Sequence, residues 1–544
     1  MKFKKFFGTG LIVSFFTAVA MVMGTQAADM RTVAVVSIAD ANSVVKSLKA
    51  VTAKAGFPDA MAPLEANMAQ LQNAVDWAKP VGIVVLADDE KFGGYAFLPA
   101  ADITKLPNVS QILAGAEKAK DGSYKIPLPN NMPLFIKQAG KWAYISVAAE
   151  LPNNLPADPV KLLEGLDQKY ILGVKVNVAN LPKELCQGSL AMFRMLAESQ
   201  AKDEAAAESI GTSFDQIEKL LNELKVAQFG VAISPANDVI IETSMEAVSG
   251  SVLAADIKAL AGIKTNMIGF FQPDNNLLGV VGAGNIDEAN KKQFETQLKM
   301  FFDGAREGVE GGEYGPTEIE TAKFALDNLE ATLESTLKSG KIDFGLTLKA
   351  DATLLVGATI ADGNKAHDAL VKAGTSMPEE LKGLIKIDDS TYNGFNITSI
   401  AVPFKQLPDA DNVPEGLKDK TLTAKIGVRD NAIVVAAGIT ETVESDLKNA
   451  IDASKSATAV PATNLVFRPY YLGGLIKTLG KQNDGNIADV LKIFESIPKD
   501  AKITSTNTYS GSSQNSKFVI EGDLLPAIGK FVQKAIQVRQ GLAQ

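Results

Sequence analysis

The sequence predicts an α+β protein of two similar domains, each an antiparallel sheet with helices packed on it, derived from an internal duplication. Three observations carry this expectation. Pairs of β-rich runs joined by polar turns recur along the chain, strand-then-helix units alternate with them, and both halves present these units in the same order. Hairpins cannot build a parallel sheet, so the sheets are expected to be antiparallel with helices layered on a face. The 544 residues exceed the roughly 100–200 of one domain. The expected division is a leader at 1–27, a first domain at 28–263 and a second at 264–544.

The leader reads as a secretory signal peptide. Lys2, Lys4 and Lys5 form a basic start, an apolar stretch runs from about Leu11 to Met23, and Thr25-Gln26-Ala27 puts small residues before a cut at Ala28. That stretch is shorter than the roughly 20 residues needed to span a bilayer, and no later segment approaches it in apolar length. The mature chain is therefore expected to be periplasmic or extracellular and not an integral membrane protein. Losing the three lysines moves the formal charge from −9 to −12. An acidic chain lacks the basic face that neutralises phosphates, which argues against nucleic acid as a partner. The single cysteine, Cys186, permits no intrachain disulfide, so a full-sized core must hold the fold.

The elements follow in order. Thr32 to Ile38 reads as a strand leading into a helix with Val44, Val45, Leu48 and Val51 on one face. Val81-Gly82-Ile83 opens a β-rich run that turns at Asp88-Asp89, and a middle hairpin joins Leu134–Ile136 to Tyr144–Val147 at Gly140. Tyr170 to Val178 leads into a helix at Leu185 to Leu196. Ser213 and Gln216 read as a capping box before the stripe Ile217, Leu220, Leu221, Leu224. Phe229-Gly230-Val231 then opens a hairpin turning at Pro235-Ala236-Asn237-Asp238, followed by a helix at Leu253 to Leu260.

The second half repeats the series. Leu277 to Val281 precedes a helix bearing Phe294, Leu298 and Phe301, and Thr317 with Glu320 reads as another capping box, with Gly340 as the stop. Phe344-Gly345-Leu346 turns at Ala350-Asp351, a strand follows at Tyr392 to Ile400, and Ile426-Gly427-Val428 turns at Arg429-Asp430-Asn431. Helices are expected at Val443 to Ile451 and, after the strand Leu465 to Phe467, around Leu475 and Ile476. The glycine recurring within the strands predicts a bulge or the close approach of a packed helix.

Several stretches resemble a known family. They are Pro133-Leu134-Phe135-Ile136-Lys137 through Trp142-Ala143-Tyr144-Ile145-Ser146, Leu155-Pro156-Ala157-Asp158-Pro159, Leu166-Asp167-Gln168-Lys169-Tyr170, Lys264-Thr265-Asn266 to Phe271-Gln272-Pro273-Asp274, and Ala361-Asp362-Gly363-Asn364-Lys365. From about Thr32 onward the chain is similar to a large family of uncharacterised secreted planctomycete proteins. The resemblance implies an extracytoplasmic compartment and a shared whole-chain architecture. It implies no activity, cofactor or site residue.

The chemistry is sparse. Cys186 shares a helical face with Leu190 and Phe193 and is expected to be a small buried hydrophobe. His367, the only histidine, could join Asp362 and Asp368 around a metal but reads first as an ordinary helix-edge residue. Ser43-Val44-Val45-Lys46, Lys338-Ser339-Gly340 and Ser513-Gln514-Asn515 imitate penicillin-recognising serine enzymes in the wrong order along the chain. Gly282-Ala283-Gly284 imitates a dinucleotide loop, with Asp287 in place of the third glycine. The carboxylate clusters Asp88-Asp89-Glu90, Asp388-Asp389 and Asp409/Asp411 are all expected in turns or loops, and the acidic stretch Glu307 to Glu320 as a solvated connector.

These readings name no catalytic, cofactor-binding or metal-binding residue and call for no cofactor. They point to a non-catalytic extracytoplasmic protein with a binding, interaction or structural role in the cell envelope. The alternatives are a carrier of an apolar or lipidic ligand, using a cleft between sheet and helices, and a carboxylate-dependent hydrolase. Envelope proteins or an apolar ligand are the partners compatible with this reading. Met192, Phe193 and Met195, with Phe294 and Met300 to Phe302, fit a carrier and also fit plain core.

Overall fold

In a computed structural model of the chain, the structure describes residues 30–105, 117–118, 122–127, 133–147, 151, 155–201, 204–274, 276–286, 288–311, 315–375, 382–406, 413, 415–479 and 485–541. The segment expected to be a signal peptide, Asp287, Asp409 and Asp411 lie outside them, as does part of the Glu307–Glu320 stretch. The fold is α+β with large antiparallel sheet. The chain divides into two compact units, Met1–Ile257 with Tyr509–Gln544, and Lys258–Thr508.

The first strands are β1 (Arg31–Ile38), β2 (Val81–Ala87), β3 (Phe92–Leu98), β4 (Glu117–Lys118), β5 (Tyr124–Pro127), β6 (Pro133–Ala139), β7 (Trp142–Val147), β8 (Leu172–Val176), β9 (Leu224–Ile233) and β10 (Val239–Ala247). Next come β11 (Lys264–Thr265), β12 (Leu278–Asn285), β13 (Lys341–Leu348), β14 (Leu354–Thr359), β15 (Ile385–Tyr392), β16 (Phe395–Pro403), β17 (Thr421–Arg429) and β18 (Ala432–Gly438). The last are β19 (Thr458–Ala459), β20 (Thr463–Phe467), β21 (Ile503–Ser510) and β22 (Ser513–Ile520).

In the first unit the antiparallel order is β4-β5-β6-β7-β3-β2-β1-β8-β9-β10-β22. In the second it is β15-β16-β17-β18-β14-β13-β12-β20-β21. Matching β1 to β12 aligns the nine strands of the second order with the first nine of the eleven in the first, leaving β10 and β22 without a counterpart. The division differs from that expected from the sequence in two respects: the junction falls at 257/258 instead of 263/264, and the C-terminal segment belongs to the first unit. The cause of the second is an unbroken register of β22 on β10, from Val239 opposite Ile520 to Glu246 opposite Ser513. The Gly522 N–H adds a hydrogen bond to the Asp238 carboxylate at 2.8 Å.

Alternation decides which face of each sheet is covered. Along β18, Ala432, Val434 and Ala436 are buried while the residues between them are half-buried, the period of two of a sheet with one packed face. The first unit centres on Phe97, Trp142, Tyr144 and Leu163, with the Phe97 and Trp142 rings edge to face at 5.6 Å. The second centres on Met267, Phe270, Leu355, Phe395, Val434 and Leu447.

The recurring strand glycines mark close approaches, made by side chains and turns instead of packed helices. A Cβ on Gly230 would lie 2.4 Å from the Tyr170 ring, and one on Gly345 2.4 Å from the Met267 carbonyl oxygen. Neither residue interrupts its register.

The helices are α1 (Ala41–Lys54), α2 (Ala62–Leu71), α3 (Lys183–Ser199), α4 (Glu204–Glu223), α5 (Val252–Ala261), α6 (Glu288–Glu310), α7 (Pro316–Lys338) and α8 (Gly363–Thr375). They continue with α9 (Val443–Ala453), α10 (Tyr470–Leu479), α11 (Gly485–Glu495) and α12 (Leu525–Gly541). Both expected capping boxes fall inside helices. Ser213 lies mid-way along α4, which already starts at Glu204 among the helix-favouring alanines 205–207, and Thr317 follows Pro316 in the first turn of α7. Gly282 to Gly284 is no loop, because β12 runs on to Asn285 against β13.

Candidate functional site

The site is a cavity of about 330 Å³ within the second unit, between the sheet and the layer packed on it. Phe395, Arg429 and Val434 form its sheet side, from β16, the end of β17 and β18. Asn266, Met267 and Phe270 come from the segment after β11, which makes a short 3-10 turn at Ile268–Phe270. Ile451, Ser454 and Lys455 come from the end of α9 and just beyond it, and Asn393 from the turn between β15 and β16. The apolar lining belongs to the unit's main core cluster.

Local sequence explains why these pieces meet. Asn393-Gly394 takes positive φ at both residues, 48° and 79°, the conformation of a two-residue hairpin turn that Asn-Gly favours. Asp452, in the last turn of α9, receives the Tyr392 hydroxyl and the Asn393 side-chain amide, each at 2.7 Å, and pairs with Lys455 at 3.1 Å. The Tyr392 hydrogen bond and then Lys455 hold its carboxyl below the ordinary aspartate value. On the opposite rim, buried Asp343 receives the Thr265 hydroxyl at 2.6 Å, the Asn266 N–H at 2.8 Å and the Thr359 hydroxyl at 3.0 Å. The Gly269 N–H donates to Ser454 Oγ at 2.9 Å and joins the two sides.

Arg429 is the cavity's uncompensated charge. Its guanidinium carbon sits 4.6 Å from the Phe395 ring centroid, and its Nε is buried with no hydrogen-bond partner. The chain has six arginines among its 54 basic residues, so lysine is the default cation here and arginine the exception. Five of the six have described side chains. Arg31 pairs with Asp89, Arg194 with Glu198 and Asp215, Arg306 with Asp303, Asp327 and Glu330, and Arg468 donates to the Pro273 carbonyl. Among the described residues, only Arg429 of these five has no oxygen partner.

Sequence reasoning read Arg429 as a turn residue and did not single out the cavity. The scarcity of arginine, and the Asn-Gly pair at 393–394, were the signals available.

The sequence candidates lie elsewhere, each in a local role. Asp88 Oδ1 accepts the Glu90 and Lys91 N–H groups in the β2–β3 turn, and Asp89 is the surface partner of Arg31. Asp388 and Asp389 are not in a turn. They occupy a register irregularity within β15, with Asp388 at φ 51°. His367 Nε2 lies 2.9 Å from Asp388 Oδ1, not with Asp362, which receives the Lys365 N–H at the start of α8. No group of three His, Cys, Asp or Glu among the described residues is placed to hold a metal.

The nearest approach to a nucleophile is Ser399, whose Oγ is 2.7 Å from Lys425 Nζ and 2.6 Å from Asp389 Oδ2. Lys425 is bracketed by Asp389 and Glu444, at 3.4 and 3.1 Å, the opposite of the apolar or cationic setting that activates a lysine base. Ser43 and Lys46 are exposed at the start of α1, Lys338 ends α7, and Ser513-Gln514-Asn515 lies on β22.

Cys186 is half-buried and not in the core, and burial pushes its thiol up, away from the reactive thiolate. Its expected partner on a buried face, Phe193, is 56% exposed. α3 buries no residue fully. Met192, Phe193, Met195 and Leu196 form an exposed apolar stripe on it, and α6 presents Phe294, Met300 and Phe301 to solvent while Phe302 is fully buried. Of the two readings the sequence allowed for these residues, plain core does not hold for α3 or for most of this set on α6. No described helix is long and apolar enough to cross a membrane. Comparison with family models, curated proteins and solved structures gives no match for this chain.

Proposed function

We propose that the protein is a non-catalytic extracytoplasmic binding protein of the cell envelope, and that its second unit houses a small ligand. The observation that carries this reading is the cavity of about 330 Å³, which has an apolar floor and a few converging polar groups. Ligand sites run to about 300–1,000 Å³ and have this mixed lining. At about 30 Å³ per water it holds the volume of roughly eleven waters, which suits a small molecule and not a whole lipid. The carrier alternative is favoured over the hydrolase. Of the described cluster carboxylates, Asp88, Asp89, Asp388 and Asp389 are engaged in turn, ion-pair or strand contacts, Glu90 is exposed, and none of the five lines the cavity.

The basic and apolar leader supports export. The shared order of nine strands in the two units supports an internal duplication, with the proposed ligand site in the second copy. Native mass spectrometry of the protein isolated from its own envelope tests the binding reading. A retained small-molecule mass that is released on denaturation is the expected result. A bare polypeptide mass, with no binding across a panel of small amphiphiles, overturns the reading.

A further inference from the structure

We infer that the cavity takes a small organic monoanion, a carboxylate on an apolar body, and that Arg429 is the residue that anchors it. This rests on the binding role proposed above and names the ligand class for the same site. The first ground is the buried, unpartnered Nε of Arg429. A carboxylate arriving there gains a charge-assisted, two-pronged hydrogen bond without taking a donor from an existing partner. The second ground is that the cavity's other cationic and amide side-chain donors are engaged. The Asn393 amide and Lys455 are held by Asp452, and the Asn266 amide is 3.3 Å from Asp343. One unengaged cation matches one negative charge, whereas a dianionic phosphate ester calls for a second.

The third ground is the floor. Met267, Phe270, Val434 and Ile451 present carbon to whatever the guanidinium holds, so the anion's body is alkyl or aryl. The Phe395 ring, its centroid 4.6 Å from the guanidinium carbon, holds Arg429 in place before the ligand arrives, which lowers the ordering cost of binding.

Isothermal titration of the full chain with octanoate, octan-1-ol and octyl phosphate tests the inference, with Arg429→Gln and Arg429→Lys alongside the parent. Octanoate is expected to bind most tightly. Arg429→Gln is expected to weaken octanoate about 10- to 100-fold while leaving octanol unchanged, and Arg429→Lys to fall between. The unchanged octanol affinity shows that the variant cavity is still formed. Equal binding of octanoate and octanol with no effect of either variant overturns the anion assignment and leaves the cavity reading standing. Tighter binding of octyl phosphate overturns the single-charge assignment. Binding of none of the three overturns the cavity reading as well.

Discussion

The hydroxyl of Thr265 donates to the carboxylate of Asp343 at 2.6 Å, and through that contact a strand of the sheet holds the segment that carries the cavity's floor. The same carboxylate receives the Asn266 N–H, so Met267 and Phe270 follow from a fixed point. Replacing Asp343 by Ala leaves the buried Thr265 hydroxyl and the part-buried Asn266 N–H unpaired and is expected to cost about 2–4 kcal/mol, read as a lower urea midpoint with an unchanged slope. A loss under 0.5 kcal/mol would mean the contact does not hold this segment.

Two glycine substitutions separate close packing from helix propensity. Gly345→Ala places a methyl 2.4 Å from the Met267 carbonyl oxygen and 2.9 Å from Phe270 Cβ, and is expected to destabilise by about 1–3 kcal/mol. Gly188→Ala, mid-helix in α3 with open space around the added carbon, is expected to stabilise by about 0.5–1 kcal/mol. Chemical denaturation of both variants gives the two signs directly.

Alkaline stability depends on Tyr95. Burial pushes its hydroxyl from the ordinary tyrosine value of 10.0 up to about 12. A folded value above the unfolded one contributes stability that is complete below pH 10 and is lost as pH rises toward 12. The loss amounts to about 2–3 kcal/mol for this group. Tyr95→Phe is expected to flatten that part of the stability profile, and a profile identical to the parent's would refute the assignment.

The apolar stripe of α3 is a surface feature. Phe193→Ser is expected to change stability by no more than about 0.5 kcal/mol, because the ring is more than half exposed. It is also expected to reduce binding of a hydrophobic dye. A loss of about 3 kcal/mol, the cost of truncating a core aromatic, would place the side chain in a core instead.

Much of the element plan was legible because its signals are local. The turns at Asp88-Asp89, Gly140, Asn237 and Ala350-Asp351 lie between paired strands, and Gly340 follows the end of α7 with φ 69°. Periodicity identified Ile217 and Leu220 as one helical stripe but could not reveal that both stay more than 40% exposed, since exposure depends on what packs there. Asp388-Asp389 read as a turn because the residue types are turn-prone; inside β15 they occupy an irregularity that register alone displays. The cavity was illegible for a similar reason. Asn266, Asn393, Arg429 and Ser454 are scattered along the second unit, and no spacing rule joins them.

The most direct test is a crystal structure of the chain grown with octanoate. The expected result is density for the carboxylate within hydrogen-bond distance of Arg429 Nε, with the alkyl chain against Phe270 and Val434. A cavity holding only water at a saturating octanoate concentration, or octanoate seated on the outer face of α3, would contradict a ligand site in the second unit.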